Sequence, residues 1–169
     1  MGIIVRIIAA FSFLTVAPVP LGVHLDAGAL GRSRAFFALP GLCLGAAYAA
    51  ATWALCRAPA VPPAFVALCV LVLMCVLTRC LHLDGLADLA DAWGSGAPRD
   101  RAMEIMRDSR IGTFGVAALV LLLGAKAAAL FHICRVFRDT DSMQVLFALT
   151  LIPAAGRFTA AWLIQWFPD

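Results

Sequence analysis

Three aspartates, Asp84, Asp88 and Asp91, follow one another at intervals of four and three residues in the sequence LHLDGLADLAD. On an α-helix these intervals place the side chains on one face, within an arc of about 60°. Like charges at this separation destabilise a bare helix by roughly a few tenths of a kcal/mol per pair, so a compensating cation is expected. Mg²⁺ is commonly held by one or two carboxylates, with phosphate oxygens and water as its other ligands. We therefore predict that these three aspartates are magnesium ligands.

A second polar stretch, RDRAMEIMRDSR, follows at residues 99–110. After Pro98 it is predicted to form a short amphipathic helix that either lies flat at a membrane surface or folds back over the aspartates. The polar face of this helix is formed by Arg101, Glu104 and Asp108. The candidates for substrate binding are Glu104, Arg107, Ser109 and Arg110. Arginines and a hydroxyl are the groups that a phosphate would bind, so the two stretches together indicate phosphate chemistry.

Simple solvation of these acids at a membrane edge is the alternative interpretation. For a single aspartate we would favour it, but here three acids share one helix face, and an amphipathic helix rich in acids and bases follows them between glycines. This combination favours a site. His82 is a weaker candidate, because a lone histidine before an acid is more often an interfacial hydrogen-bonding group than a catalyst. We retain His82, Asp91 and Asp108 as catalytic candidates.

The rest of the composition is typical of an integral membrane protein. The chain is 63% apolar and has a mean hydropathy of +0.96. Only 14% of its residues are charged, against about 25% in an average soluble domain. The cations form no continuous stripe, so nucleic acid is not a predicted partner. The lipid bilayer is the predicted environment. The six cysteines have no metal-ligand spacing, and we interpret them as reduced core residues.

Four apolar runs are long enough to cross a bilayer as helices, which takes about 20 residues. Residues 35–56 and 58–78 carry no charge, whereas 111–134 contain Lys126 and 142–168 contain Arg157. The first 17 residues form a further short apolar segment. We predict an all-α, polytopic membrane protein with about four spans, a short N-terminal apolar helix and a cytoplasmic amphipathic helix. Residues 1–169 are expected to form a single membrane domain.

The second span is predicted to continue as one helix from Ala64 to Asp91. Such a helix would be about 42 Å long, against roughly 30 Å of hydrocarbon, so its last turns, with the aspartates, would protrude from the membrane. Eight arginines lie in residues 1–34 and 79–110, and three lie at 57, 135 and 138. Under the positive-inside rule this difference places the acidic motif on the cytoplasmic side.

The sequence closely resembles the cobalamin synthase family, the adenosylcobinamide-GDP ribazoletransferases. The resemblance rests on LHLDGLADLAD followed by RDRAMEIMRDSRIGTFG, with FSFLTVAPVP near the start, FFALPGLCLG at the first span and AAGR at 154–157. It implies a multi-pass enzyme of the bacterial inner membrane that transfers the cobinamide phosphate from adenosylcobinamide-GDP to α-ribazole or its 5′-phosphate and releases GMP. It also implies Mg²⁺ as the cofactor. A homo-oligomer, or association with other enzymes of the cobalamin pathway, is left open.

Within this resemblance, Asp84 and Asp88 would bind the metal with Asp91 assisting, and Arg107 and Arg110 would contact phosphate. Asp108 would be a second metal ligand or the base that takes the hydroxyl proton. The chain also departs from the family pattern. Arg79 and Cys80 stand where relatives usually have two glycines, and relatives usually continue beyond this C-terminus with more spans, so we expect a chain that is short for the family.

Two rival functions remain. A CDP-alcohol phosphotransferase also uses an aspartate-rich motif at the membrane, but its pattern asks for Arg where Asp88 stands and for Gly where Ala97 stands. A transporter or a non-catalytic membrane subunit would have polar residues near the middle of its spans. The first two predicted spans have hardly any, so the transferase is the favoured prediction.

Overall fold

The computed structural model describes residues 2–24 and 28–166, and all the regular structure in those ranges is helical. The helices are α1 (Ile3–Leu14), α2 (Ala29–Ser33), α3 (Ala38–Cys56), α4 (Pro63–Leu77), α5 (Leu81–Gly94), α6 (Arg99–Ile105), α7 (Thr113–Thr140) and α8 (Met143–Trp166). A 3-10 turn at Arg34–Phe36 precedes α3. The predicted all-α class is confirmed.

Among the described residues, three helices, α3, α7 and α8, are long and apolar enough to cross a membrane. The count rises to four if α4 and α5 together form one bent span. The prediction of a polytopic helical membrane protein is therefore confirmed. The predicted number of about four spans equals the count that includes the bent pair. The short N-terminal apolar helix is α1, and the six cysteines are free thiols.

The predicted continuous helix from Ala64 to Asp91 is wrong. Helix α4 ends at Leu77, and α5 begins at Leu81 after a bend of 85°. With 15 residues, α4 measures only about 22 Å at 1.5 Å per residue. The aspartates therefore lie on a separate helix that turns sharply away from α4.

The break has the geometry of a Schellman motif, in which the two residues after the helix fold their amides back onto its last turn. The Cys80 amide donates to the Cys75 carbonyl at 3.0 Å, and the Arg79 amide donates to the Val76 carbonyl at 3.1 Å. Arg79 and Cys80 have φ values of 51° and 56°, in the left-handed region that favours glycine. These are the positions where relatives were expected to have glycines.

Helices α3 and α8 pack closely because α3 presents two glycines, Gly41 and Gly45, one turn apart on its contact face. A Cβ at Gly41 would lie 2.6 Å from the Pro153 carbonyl oxygen and 2.7 Å from the Ala154 Cα, and one at Gly45 would overlap the backbone of Thr150. This small-xxx-small arrangement lets helix backbones approach each other in membranes. A core formed by α3, α4, α7 and α8 extends from this contact, and its buried residues include Leu44, Tyr48, Val66, Val70, Leu130, Cys134, Phe137 and Leu149.

The α3–α4 and α7–α8 connections meet at one end of the bundle, which we call the paired end (residues 57–62 and 138–142). Arg57 forms an ion pair with Asp141 at 2.8 Å and lies over the Trp53 ring. The guanidinium of Arg138 donates to the carbonyls of Ala58 and Val61. Helix α5 and the start of α7 lie at the opposite end.

Candidate functional site

A cavity of about 500 Å³ lies between α5 and the segment that joins α6 to α7. We call the residues around it the cavity end of the molecule. Its lining consists of Cys80, Leu83, Asp84, Ala87, Asp88, residues 106–111 and Leu119. The segment after α6 therefore folds back over α5, which is the second of the two alternatives that we considered for the amphipathic region.

Asp84 and Asp88 reach the cavity together because they lie one turn apart on α5. Neither carboxylate has a hydrogen-bond or ion-pair partner among the described residues, although Asp88 is partly buried. Two neighbouring acids without a counterion have unused acceptor oxygens and repel each other. The pair is suited to accept a hard cation, because both ligands are oxygen atoms.

Segment 106–111 faces the two acids with charged and polar side chains of its own. Asp108 and Arg110 form a bidentate pair, with Nη2 and Oδ2 at 2.7 Å and Nε and Oδ1 at 3.1 Å, and the Arg110 amide also donates to Asp108. These side-chain and backbone hydrogen bonds from Arg110 lower the pKa of the Asp108 carboxyl to about 2. Asp108 is therefore ionised at neutral pH and is a weak base.

Arg107 and Ser109 line the same cavity, and neither side chain has a partner among residues 2–24 and 28–166. The amphipathic helix was expected to include Asp108, but α6 ends at Ile105. Residues 107–110 lie beyond the helix in an irregular segment, and all four line the cavity. Within the described part of the chain, the cavity lining thus includes two carboxylates and one guanidinium that have no partner.

Asp91, the third aspartate, is not part of the cavity lining. Its Oδ2 accepts the amide of Gly112 at 2.7 Å, and its Oδ1 accepts the amide of Gly115 at 2.8 Å. In the described part of the chain, no three His, Cys, Asp or Glu side chains form a group that could hold a metal. The structure therefore does not bring the three predicted magnesium ligands together, because both oxygens of Asp91 are directed to the start of α7.

Two other predicted site residues lie elsewhere. Glu104 is exposed and forms an ion pair with Arg101 on α6. His82 is exposed on α5 outside the cavity lining, where it interacts electrostatically with Arg157 of α8 and Lys126 of α7. On a helix, His82 lies about 200° around the axis from Asp84, so the two side chains point to different faces.

The bonds between Asp91 and the α7 glycines were missed by the sequence prediction. Their signal is present in GTFG at 112–115, because a helix that begins at Thr113 after a glycine has no side chain of its own to cap its first amides. A carboxylate elsewhere in the chain is a natural substitute. Chemically, the remaining cavity can hold a cation between α5 and segment 106–111 and an anion beside Arg107.

Comparison with known proteins gives a family match over residues 6–169, to the family described as cobalamin-5-phosphate synthase. An adenosylcobinamide-GDP ribazoletransferase of Syntrophobacter fumaroxidans is 41% identical over 152 residues, which cover 88% of this chain and 60% of the relative. The enzyme of that name from Geotalea daltonii is 37% identical over 150 residues, 89% of this chain and 57% of the relative.

A third relative of the same name, from Azorhizobium caulinodans, is 42% identical over 153 residues, 88% of this chain and 57% of the relative. The chain thus spans about 60% of the length of the curated relatives that it matches. No solved structure matches it. The family predicted from LHLDGLADLAD and its neighbouring motifs is confirmed.

Proposed function

The chain belongs to the cobalamin-5-phosphate synthase family, and from this premise we propose that it takes part in the ribazoletransferase reaction named for its relatives. In this reaction a hydroxyl oxygen of α-ribazole, or of its 5′-phosphate, attacks the phosphorus that carries cobinamide in adenosylcobinamide-GDP. The bond from that phosphorus to the GMP phosphate breaks, and GMP leaves. The observation that supports this function most directly is that Asp84 and Asp88 line the same cavity as Arg107.

We propose Asp84 and Asp88 as the residues that hold Mg²⁺. Their chemistry fits this ion, because both are carboxylates one helical turn apart that have no partner among the described residues, and Mg²⁺ commonly takes only one or two protein carboxylates. Bound there, the ion would neutralise charge on the phosphate oxygens during transfer. Asp91 is left out of this ligand set, since both of its oxygens accept backbone amides.

Arg107 is proposed as the main contact to the pyrophosphate, because this residue lines the cavity and its side chain has no partner among the described residues. Ser109 adds a hydroxyl donor beside it. Arg110 is occupied by Asp108, so it can contact phosphate only by giving up part of this pair. Asp108 suits a role as an ionised ligand or as a partner of Arg110 better than the role of general base, which works best with a pKa near the working pH.

We further propose that the cavity end faces the cytoplasm of a bacterial inner membrane. The support is the charge distribution, with eight arginines assigned to the cavity side and three to the other side. The ion pair between Arg57 and Asp141 and the bonds from Arg138 are consistent with this assignment, since they bring those arginines to one end. A homo-oligomer and association with other enzymes of the pathway stay predictions.

The test is GMP release from adenosylcobinamide-GDP by membranes that contain the chain, with α-ribazole or its phosphate as acceptor. We expect release to require Mg²⁺ and to fall on the order of a hundredfold or more in Asp84→Asn and Asp88→Asn, because metal-assisted charge stabilisation contributes several kcal/mol. Asp141→Asn at the paired end is the matched control and should keep the original rate.

The outcomes separate the two parts of the proposal. Absence of GMP release from the unsubstituted chain would reject the transferase activity of this chain. Release that persists at the original rate in both Asp84→Asn and Asp88→Asn would leave the activity in place but would show that these residues do not hold the metal.

A further inference from the structure

Helix α7 begins without a cap of its own. Gly112 stands at its N-cap position and has no side chain, and no local side chain accepts the first amides of the helix. Normally an N-cap side chain accepts the amide three residues on, and a partner at that position accepts the N-cap amide. Asp91 does both from another helix, because its two oxygens accept the amides of Gly112 and Gly115.

We propose that Asp91 is a positioning residue that closes segment 95–111 over the cavity. Asp91 lies near the end of α5, just before this segment, and Gly112 follows immediately after it. The two hydrogen bonds therefore join both ends of the connection through one carboxylate. Because Arg107 and Asp108 belong to the connection, this closure sets their distance from Asp84 and Asp88. The inference rests on the proposed function of the cavity.

We call the two hydrogen bonds between Asp91 and the start of α7 the tether. The glycines of α7 are its second part. A Cβ at Gly112 or at Gly115 would overlap the Asp91 carboxylate, and a Cβ at Gly115 would also lie 3.0 Å from the carbonyl oxygen of Ala87. Gly94 of α5 packs against the Phe114 ring, and a Cβ at Gly94 would overlap that ring. The close approach of α5 and α7 thus depends on small residues on both helices, and Asp91 supplies its polar contact.

The charge of Asp91 suits this role. A carboxylate at a helix N-terminus interacts favourably with the helix dipole, and hydrogen bonds to an ionised acceptor are stronger than neutral ones. Asp84 and Asp88 differ in this respect, because neither accepts a hydrogen bond from any described residue. One face of α5 therefore holds two acids that are available to a ligand and a third that is already used by the fold.

Two variants distinguish a tether from a metal ligand and from a simple cap. Asp91→Ala removes both hydrogen bonds. Asp91→Ala combined with Gly112→Asp restores a local N-cap for α7 without joining α7 to α5, and Gly112 has an extended backbone (φ −94°, ψ 179°) that accepts this residue. Asp139→Ala, at an exposed aspartate of the paired end, is the matched control.

The first readout is amide hydrogen exchange of the peptides that cover residues 106–116, which needs no enzymatic activity. We expect these amides to exchange about tenfold faster in Asp91→Ala. In the double variant, protection should return at the start of α7 while residues 106–111 stay unprotected. Unchanged exchange in Asp91→Ala would overturn the proposal.

The second readout is GMP release as a function of Mg²⁺ concentration. Asp91→Ala should lower kcat at saturating Mg²⁺ and substrate about tenfold, because the whole of segment 106–111 is misplaced relative to Asp84 and Asp88, and the half-saturating Mg²⁺ concentration should stay close to the original. A large rise in that Mg²⁺ concentration with kcat retained would indicate that Asp91 is a metal ligand. Recovery of kcat in the double variant would indicate that Asp91 acts only as an N-cap of α7. If the unsubstituted chain released no GMP, the proposed function would be rejected. The hydrogen-exchange experiment would still show whether Asp91 holds segment 95–111 in place.

Discussion

The two ends of the helical bundle use their charges in opposite ways. At the paired end, Arg57 bonds to Asp141 and Arg138 bonds to backbone carbonyls, so the cations there have partners within the fold. At the cavity end, Asp84, Asp88 and Arg107 line one cavity, and none of the three side chains has such a partner among residues 2–24 and 28–166. Charges that satisfy one another hold connections in place, whereas neighbouring charges left unpaired are available to a ligand.

The same comparison separates the three aspartates of α5. Their position on one helix face suggested a shared magnesium site with Asp91 assisting, but Asp91 resembles the charges of the paired end because its bonds are internal. Asp84 and Asp88 resemble Arg107. The distinction therefore follows from the partners of each side chain and not from its position in the sequence motif.

The contact between α3 and α8 connects the two ends, and a substitution there should have the largest effect on stability. Gly45→Val would place a branched side chain against the Thr150 backbone and is expected to cost about 3 kcal/mol of unfolding free energy. Thermal unfolding in detergent micelles would measure this cost. Gly124→Ala is the control, since nothing lies within 4 Å of a Cβ at Gly124. Equal destabilisation by both substitutions would contradict the packing role of Gly45.

Arg107 at the cavity end and Arg135, just before the paired end in the sequence, are both exposed and have no side-chain partner among the described residues. Substituting each of them sharpens the comparison. Arg107→Gln should raise the half-saturating concentration of adenosylcobinamide-GDP about tenfold, because a charge-assisted phosphate contact is lost. It should leave thermal stability unchanged. Arg135→Gln, on an exposed residue near the paired end, should change neither quantity. A similar effect from both variants would indicate a general loss of positive charge instead of a specific contact.

Much of the architecture follows from composition, and specific parts do not. The uncharged runs predicted the membrane helices because a span needs about 20 apolar residues. Helical periodicity correctly placed Asp84 and Asp88 on one face. The break at Thr78–Cys80 was missed because none of its residues is Gly or Pro. Its left-handed turn is held by distant contacts, in which Arg79 donates to the Ser12 carbonyl and the Val16 amide donates to the Leu77 carbonyl.

This strained turn is the source of a smaller predicted effect at the cavity end. Cys80→Gly should stabilise the protein by about 0.5–1 kcal/mol, since glycine adopts positive φ without steric cost. Thermal unfolding of the purified chain would show the gain as a higher midpoint. Cys69→Gly in the interior of α4 is the control and should destabilise, because glycine is unfavourable within a helix. A lower midpoint for Cys80→Gly would mean that the Cys80 side chain contributes more than its backbone strain costs.

The smallest effect is expected at the paired end. The side chains of Arg57 and Asp141 are 51% and 57% exposed, and ion pairs in such positions contribute about 0.2–1 kcal/mol. A double-mutant cycle with Arg57→Gln and Asp141→Asn should give a coupling free energy in the lower part of that range, and it should decrease in high salt. GMP release should be unchanged in all three variants. If breaking this pair lowered kcat as strongly as Asp84→Asn does, the two ends would be coupled, and the division between structural charges and available charges would not hold.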